Sequence, residues 1–147
     1  MSTDIRIEYY ESGIVQAEVP YLNGKREGIS KLYYSDGRLQ YETPYVNDKR
    51  EGIENAFFPS GALLMTTTYV DNKAEGREVQ FFEHGRPARV TTYHEDFRVG
   101  LEKSFAEDGT LLEEIYYNPP QHFVLRQNGQ IIVDRLTYLL LTHTPPK

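Results

Sequence analysis

Short β-forming runs separated by polar turns recur along this chain with a period of 24 residues. Between Gly28 and Tyr45, Ile29 to Tyr34 is one such run, Ser35-Asp36-Gly37-Arg38 reads as a tight turn, and Leu39 to Val46 is a second run. That is the pattern of a β-hairpin. Gly13, Gly37, Gly61, Gly85 and Gly109 hold the turn position and follow Ser, Asp, Ser, His and Asp, where a glycine supplies positive φ without strain. A second series, Gly28, Gly52, Gly76 and Gly100, opens each following run. The links between hairpins, at Asn23-Gly24, Asn47-Asp48, Asp71-Asn72 and Glu95-Asp96, again favour residues that tolerate left-handed backbone. With a turn at every junction, the chain is expected to be all-β: a single-layer antiparallel β-meander of 24-residue hairpin repeats. Tyr21, Tyr45, Tyr69, Tyr93 and Tyr117 keep the same period, as do the aromatic pairs Tyr9-Tyr10, Tyr33-Tyr34, Phe57-Phe58 and Phe81-Phe82.

Side chains alternate between the two faces of a strand, and 24 is even, so residue parity should label each face throughout. On that basis the odd face is apolar, carrying Ile5, Ile7, Val19, Tyr21, Ile29, Tyr41, Ile53, Met65 and their equivalents. The even face carries Glu8, Glu18, Glu42, Glu54, Glu78, Glu102 and Glu114 against a single basic strand residue, Arg6, with Tyr10, Tyr34, Phe58 and Phe82 among them. One layer cannot bury both faces. Its stability must come from neighbouring rungs, from cross-strand aromatic pairs worth roughly 0.2–1 kcal/mol each, and from its ends. Residues 118–147 break the period and divide from the repeats of 1–117 as a C-terminal capping segment. Phe123 to Arg126 and Ile131 to Val133 read as a hairpin about Asn128-Gly129. Over 135–143, Leu136, Leu139 and Leu140 have helical spacing while Thr137, Tyr138 and Thr142 favour strand, and either form could fold over the apolar face.

Composition narrows the function classes. The 147 residues suit one elongated domain with no room for a separate catalytic module. With no cysteine, disulfides and thiolate metal sites are excluded, in agreement with a cytoplasmic setting, and no apolar signal core or membrane-length run is expected. A net charge of −6 disfavours nucleic acid and anionic membrane lipid as partners and suits a basic protein. His84, His94, His122 and His143 lack metal-ligand spacing, and no nucleophile elbow or phosphate-binding loop occurs, so no cofactor, metal or catalytic residue is expected. Lys25-Arg26, Lys49-Arg50, Lys73 and Arg98 are interleaved with Glu27, Asp48, Glu51, Asp71, Glu75, Glu95 and Asp96, which makes a mixed, locally paired edge.

The segments Tyr33-Tyr34-Ser35-Asp36-Gly37-Arg38-Leu39 and Tyr21-Leu22-Asn23-Gly24-Lys25-Arg26-Glu27-Gly28 resemble the MORN repeat in its bacterial variant, and the resemblance extends over about residues 5–117. It departs where Pro87 stands for the leucine, where Arg77 stands for the aliphatic residue, and where Glu95 to Val99 replace the Asn-Gly-Lys loop. Such a resemblance implies an interaction scaffold, not an enzyme. Bacterial proteins of this kind are described as antitoxin-like or as immunity partners of secreted toxins, and others are associated with membrane junctions, phospholipids and protein assembly. The expectation is a protein that neutralises a toxin by direct binding and occlusion, with a structural scaffold or membrane-proximal role as the alternative. The expected binding surface is Glu18, Glu42, Glu54, Glu78 and Glu102 with Tyr34, Phe58 and Phe82 as anchors. The plainer reading of the same stripe is a solvated face, and an uncovered apolar face would offer itself to a second copy, giving a homodimer, or to a partner.

Overall fold

The computed structural model describes residues 3–119 and 121–132. Every regular element among them is a strand: β1 Thr3–Tyr9, β2 Val15–Leu22, β3 Lys25–Arg26, β4 Gly28–Tyr33, β5 Leu39–Val46, β6 Lys49–Arg50, β7 Gly52–Phe57, β8 Leu63–Val70, β9 Lys73–Phe81, β10 Pro87–His94, β11 Phe97–Arg98, β12 Gly100–Phe105, β13 Leu111–Asn118, β14 Gln121–Gln127 and β15 Gln130–Ile131. They form one open antiparallel sheet in the order β1-β2-β4-β5-β7-β8-β9-β10-β12-β13-β14-β15, and the two-residue strands β3, β6 and β11 pair back on β2, β5 and β10. The expected meander is therefore the observed fold.

Local chemistry explains the repetition. In each hairpin turn the aromatic position accepts from the glycine and donates across the turn: Gly37 N–H to the Tyr34 carbonyl at 2.9 Å, Tyr34 N–H to the Arg38 carbonyl at 2.8 Å. Tyr10/Gly13, Phe58/Gly61, Phe82/Gly85 and Ala106/Gly109 repeat the pattern. In the links, Asn23, Asn47, Asp48, Asp71, Asn72, Glu95 and Asp96 all have positive φ. Gly52 is required twice over: its φ is +116°, and a Cβ there would sit 3.2 Å from Pro44 Cγ.

The register corrects the parity reading. Ser30 pairs with Thr43 and Lys31 with Glu42, while Glu42 pairs with Asn55, so neighbouring positions on one face have opposite parity. An antiparallel connection containing an even number of residues always does this. The even period preserves the face only between equivalent strands; in between, odd is exchanged for even by the short links and, in the hairpins, by the β-bulge beside the turn, where Tyr33 pairs with Leu39 but Leu32 with Tyr41. Glu18 and Glu42 consequently share a face with Ile5, Ile29 and Ile53, whereas Glu54, Glu78 and Glu102 share the other with Tyr45, Thr67 and Tyr69. We call these the isoleucine face and the threonine face. Every buried side chain from Ala17 to Glu102 (Ala17, Ala56, Thr67, Ala74, Thr91 and Glu102) lies on the threonine face, and no large side chain is fully buried among the described residues.

Past Asn118 the sheet continues, because β14 pairs with β13 and turns through Asn128-Gly129 into β15. The hairpin expected there is present. The question of strand or helix over 135–143 lies outside the described residues.

Candidate functional site

Two ladders of polar side chains cross the threonine face. In the first, threonine hydroxyls donate to glutamates on the next strand: Thr43 Oγ1 to Glu54 Oε2 at 2.7 Å, Thr67 Oγ1 to Glu78 Oε2 at 3.1 Å, and Thr91 Oγ1 to Glu102 Oε2 at 2.9 Å. Glu54 and Glu78 each have Thr67 as a direct cross-strand neighbour, and Glu78 has Thr91, so the residues alternate in one row. Glu102 is only 5% exposed, and Arg98 Nη1 lies 3.6 Å from it. Such carboxylates are held as acceptors within the sheet. At the N-terminal end of the row Val19 and Ser30 occupy the threonine and glutamate positions. The buried Ser30 hydroxyl has no partner there, and a shallow cavity of about 200 Å³ opens between Ala17, Ser30, Thr43 and Tyr45.

The second ladder stacks arginines on the periodic tyrosines. Arg6 lies 3.9 Å from the Tyr21 ring centre, Arg26 4.2 Å from Tyr45, Arg50 3.9 Å from Tyr69 and Arg98 5.7 Å from Tyr117. Arg98 Nη1 also donates to the Tyr117 hydroxyl at 3.1 Å, and that contact, followed by one with Tyr93, holds its pKa above the ordinary arginine value. Tyr69 is raised first by burial and then by the charge of Glu54. Residue 74, which stands in the arginine period between Arg50 and Arg98, is alanine.

The isoleucine face is organised differently. Ile5 pairs with Pro20, Ile29 with Pro44 and Ile53 with Thr68, giving an apolar row in which Ile5, Ile29 and Ile53 are 65%, 57% and 57% exposed. Val46 and Val70, at the ends of their strands, are exposed as well. Beside the row, Lys31 separates Glu18 from Glu42.

The expected binding set is thus divided. Glu54, Glu78 and Glu102 come together on the threonine face, with Glu18 and Glu42 on the reverse side. Tyr34, Phe58 and Phe82 join neither group, because they sit in the hairpin turns at the ends of the strands. The Tyr34 hydroxyl donates to the Phe57 carbonyl at 2.7 Å, as Tyr10 does to Tyr33 at 2.6 Å, so these phenols tie one repeat to the next. The Phe82 ring meets His84, with centres 5.4 Å apart. Two features escaped the sequence reading, the threonines of the first ladder and the stacking of the arginines on tyrosine, whereas Ile5, Ile29 and Ile53 belong to the apolar face it describes and are exposed. The arginines at 26, 50 and 98 and threonines at 43, 67 and 91 carry a legible periodic signal. Among the described residues no group of three or more His, Asp or Glu is arranged to hold a metal.

The family model described as MORN repeat variant matches residues 5–23, 26–47 and 98–118. Residues 48–97 lie between the matched segments and build the same hairpins in the same register. These matches support a MORN-repeat protein, a kind of repeat that generally binds proteins or membranes and is generally non-enzymatic. No curated protein matches the chain.

Proposed function

We propose that this MORN-repeat chain is a non-enzymatic binding protein of the cytoplasm, immunity- or antitoxin-like, that neutralises a basic toxin by covering its active surface. The observation that carries the binding part is the exposed row Ile5, Ile29 and Ile53, flanked by Glu18 and Glu42. Aliphatic anchors in the middle and carboxylates alongside are what a partner with a cationic rim requires: the apolar atoms supply affinity, and the charges speed and orient encounter. The toxin-neutralising part is supported by the resemblance of the repeats to antitoxin-like and immunity proteins. Capture of the tagged chain from its host, mass spectrometry of what is retained, and expression of the retained protein alone test both parts. A stoichiometric partner that kills cells and is silenced by this chain is the expected result; a partner with no toxicity would sink the immunity reading.

The same apolar row also favours a second reading, a membrane-proximal scaffold. Flotation with vesicles containing anionic lipid separates the two, since the net charge of −6 predicts no salt-sensitive lipid association for the first reading.

A further inference from the structure

We propose that the gap at Ala74 is a receptor for an arginine side chain presented by a protein partner, an inference that rests on the protein-binding reading above. The chain supplies its own precedents. At the first junction Arg26 stacks over Tyr45, its Nε donates to Asp48 Oδ1 at 3.2 Å, and its Nη2 donates to the Asp48 carbonyl at 2.9 Å. At the second, Arg50 stacks over Tyr69, with Nε to Asn72 Oδ1 at 2.9 Å and Nη2 to the Asn72 carbonyl at 3.1 Å. A tyrosine ring, a side-chain oxygen and a main-chain oxygen thus form a three-part seat for a planar guanidinium.

The third junction repeats the seat without its occupant. Ala74 N–H donates to Asp96 Oδ1 at 2.7 Å, as Arg26 N–H does to Asp48 Oδ1 at 2.9 Å, and the return bonds from Asp48, Asn72 and Asp96 N–H are all 3.0 Å. The backbone is therefore superimposable in its bonding, with Tyr93 as the next tyrosine in the row. Among the described residues no cation pairs with Asp96; the adjacent Lys73 is engaged by Glu95 at 3.6 Å. Ala74 is 8% exposed and forms the floor between Tyr69 and Tyr93, which lie on the strands to either side. Tyr69 is the direct cross-strand partner of Ala74, and Tyr93 pairs with Gly76, two residues further along the same strand. Glu54, Glu78 and Asp96 all act on Tyr69, with Arg50 opposing them, while the Arg98 guanidinium meets Tyr93. A guanidinium fits better than an ammonium because its planar fork can stack and bond two oxygens at once.

The probe is a capped Gly-Arg-Gly tripeptide titrated into the full chain carrying ¹³C-labelled tyrosine rings and ¹⁵N amides. Saturable shifts at Tyr69, Tyr93 and the Asp96 amide are expected, at least tenfold weaker with citrulline in place of arginine, and absent in Ala74→Arg, which fills the seat from within. Asp96→Asn, the side chain already used at position 72, should weaken binding at least threefold and serves if Ala74→Arg misfolds. Absence of saturable shifts, equal binding of the citrulline peptide, or undiminished binding by either variant overturns the proposal. The peptide reads the seat without any toxin, so failure of partner capture with a positive titration sinks the functional reading alone, and the reverse sinks the seat alone.

Discussion

The two faces of this sheet invert the usual division of labour between charge and hydrophobe. On the threonine face the carboxylates of Glu54, Glu78 and Glu102 accept hydrogen bonds from threonine hydroxyls, and the arginines are stacked and bonded to the next repeat. On the isoleucine face, aliphatic side chains stand in solvent. A one-layer fold has no interior in which to hide large apolar groups, so it is held together by lateral bonding from rung to rung. Charge seen in the sequence is then poor grounds for assigning a binding surface, because much of it is already used in holding the sheet together. What remains available is the apolar row, which is why the proposed binding surface lies there.

The strongest break of this contrast is Thr91→Val. It keeps the shape but leaves the buried Glu102 carboxylate short of a donor, at a cost of about 2 kcal/mol and a fall of several degrees in Tm. Thr43→Val at the more exposed Glu54 should cost about half as much, since water can replace the hydroxyl. Equal Tm values for wild type and Thr91→Val would show that the ladder is not structural. Next in size, Ile29→Asp with Ile53→Asp should leave stability within about 0.5 kcal/mol, as surface changes do, yet weaken capture of the partner more than tenfold, or about 1.4 kcal/mol. Undiminished capture with an intact fold would move the binding surface off the isoleucine face. Smaller still is Ser30→Ala: deleting a buried hydroxyl that has no partner should be neutral or stabilise by up to about 1 kcal/mol, measured by urea unfolding, and any clear loss would mean that the hydroxyl is satisfied in solution.

Much of the fold was legible because the repeat is dense in backbone signals. Glycines at each turn and Asn or Asp in each link tolerate the positive φ those positions adopt, and they locate the hairpins even at Pro87 and Glu95-Asp96, where the motif drifts. The faces were not legible to the same degree. Period alone shows that Glu54, Glu78 and Glu102 are equivalent, and they are; it does not show which side Glu42 takes, because that depends on the number of residues in the connection between β5 and β7. Nor does composition distinguish a free carboxylate from one accepting a hydrogen bond from a threonine on the next strand. Tyr34 illustrates the same loss: an exposed aromatic suggests an anchor, while its hydroxyl is committed to Phe57. The gap at Ala74 required both steps, the arginine period to expose the missing member and the geometry to show what the other arginines grip.

The rim between the two faces gives the smallest effect, and it is read by pH. Glu27, Glu51 and Glu75 each accept the first N–H of the next link, from Asn47, Asp71 and Glu95, but only Glu75 also meets a histidine, with His94 Nδ1 at 2.9 Å. That hydrogen bond is the main cause of both shifts: His94 rises above its ordinary 6.5, and Glu75 falls below its ordinary 4.5. A raised histidine favours folding while it is charged, so its contribution is full below 6.5 and disappears as pH rises through the higher folded value. The lowered Glu75 contributes above 4.5 and loses its share as pH falls through the lower folded value. The pair therefore supports the rim most between those two ordinary values. Both groups are solvent-exposed, so the readout is the NMR titration of the His94 ring, not global stability. Glu75→Gln should bring the His94 midpoint down toward 6.5, and salt should do the same in part. A midpoint unmoved by Glu75→Gln would show that the rim contact between His94 and Glu75 is not formed in solution.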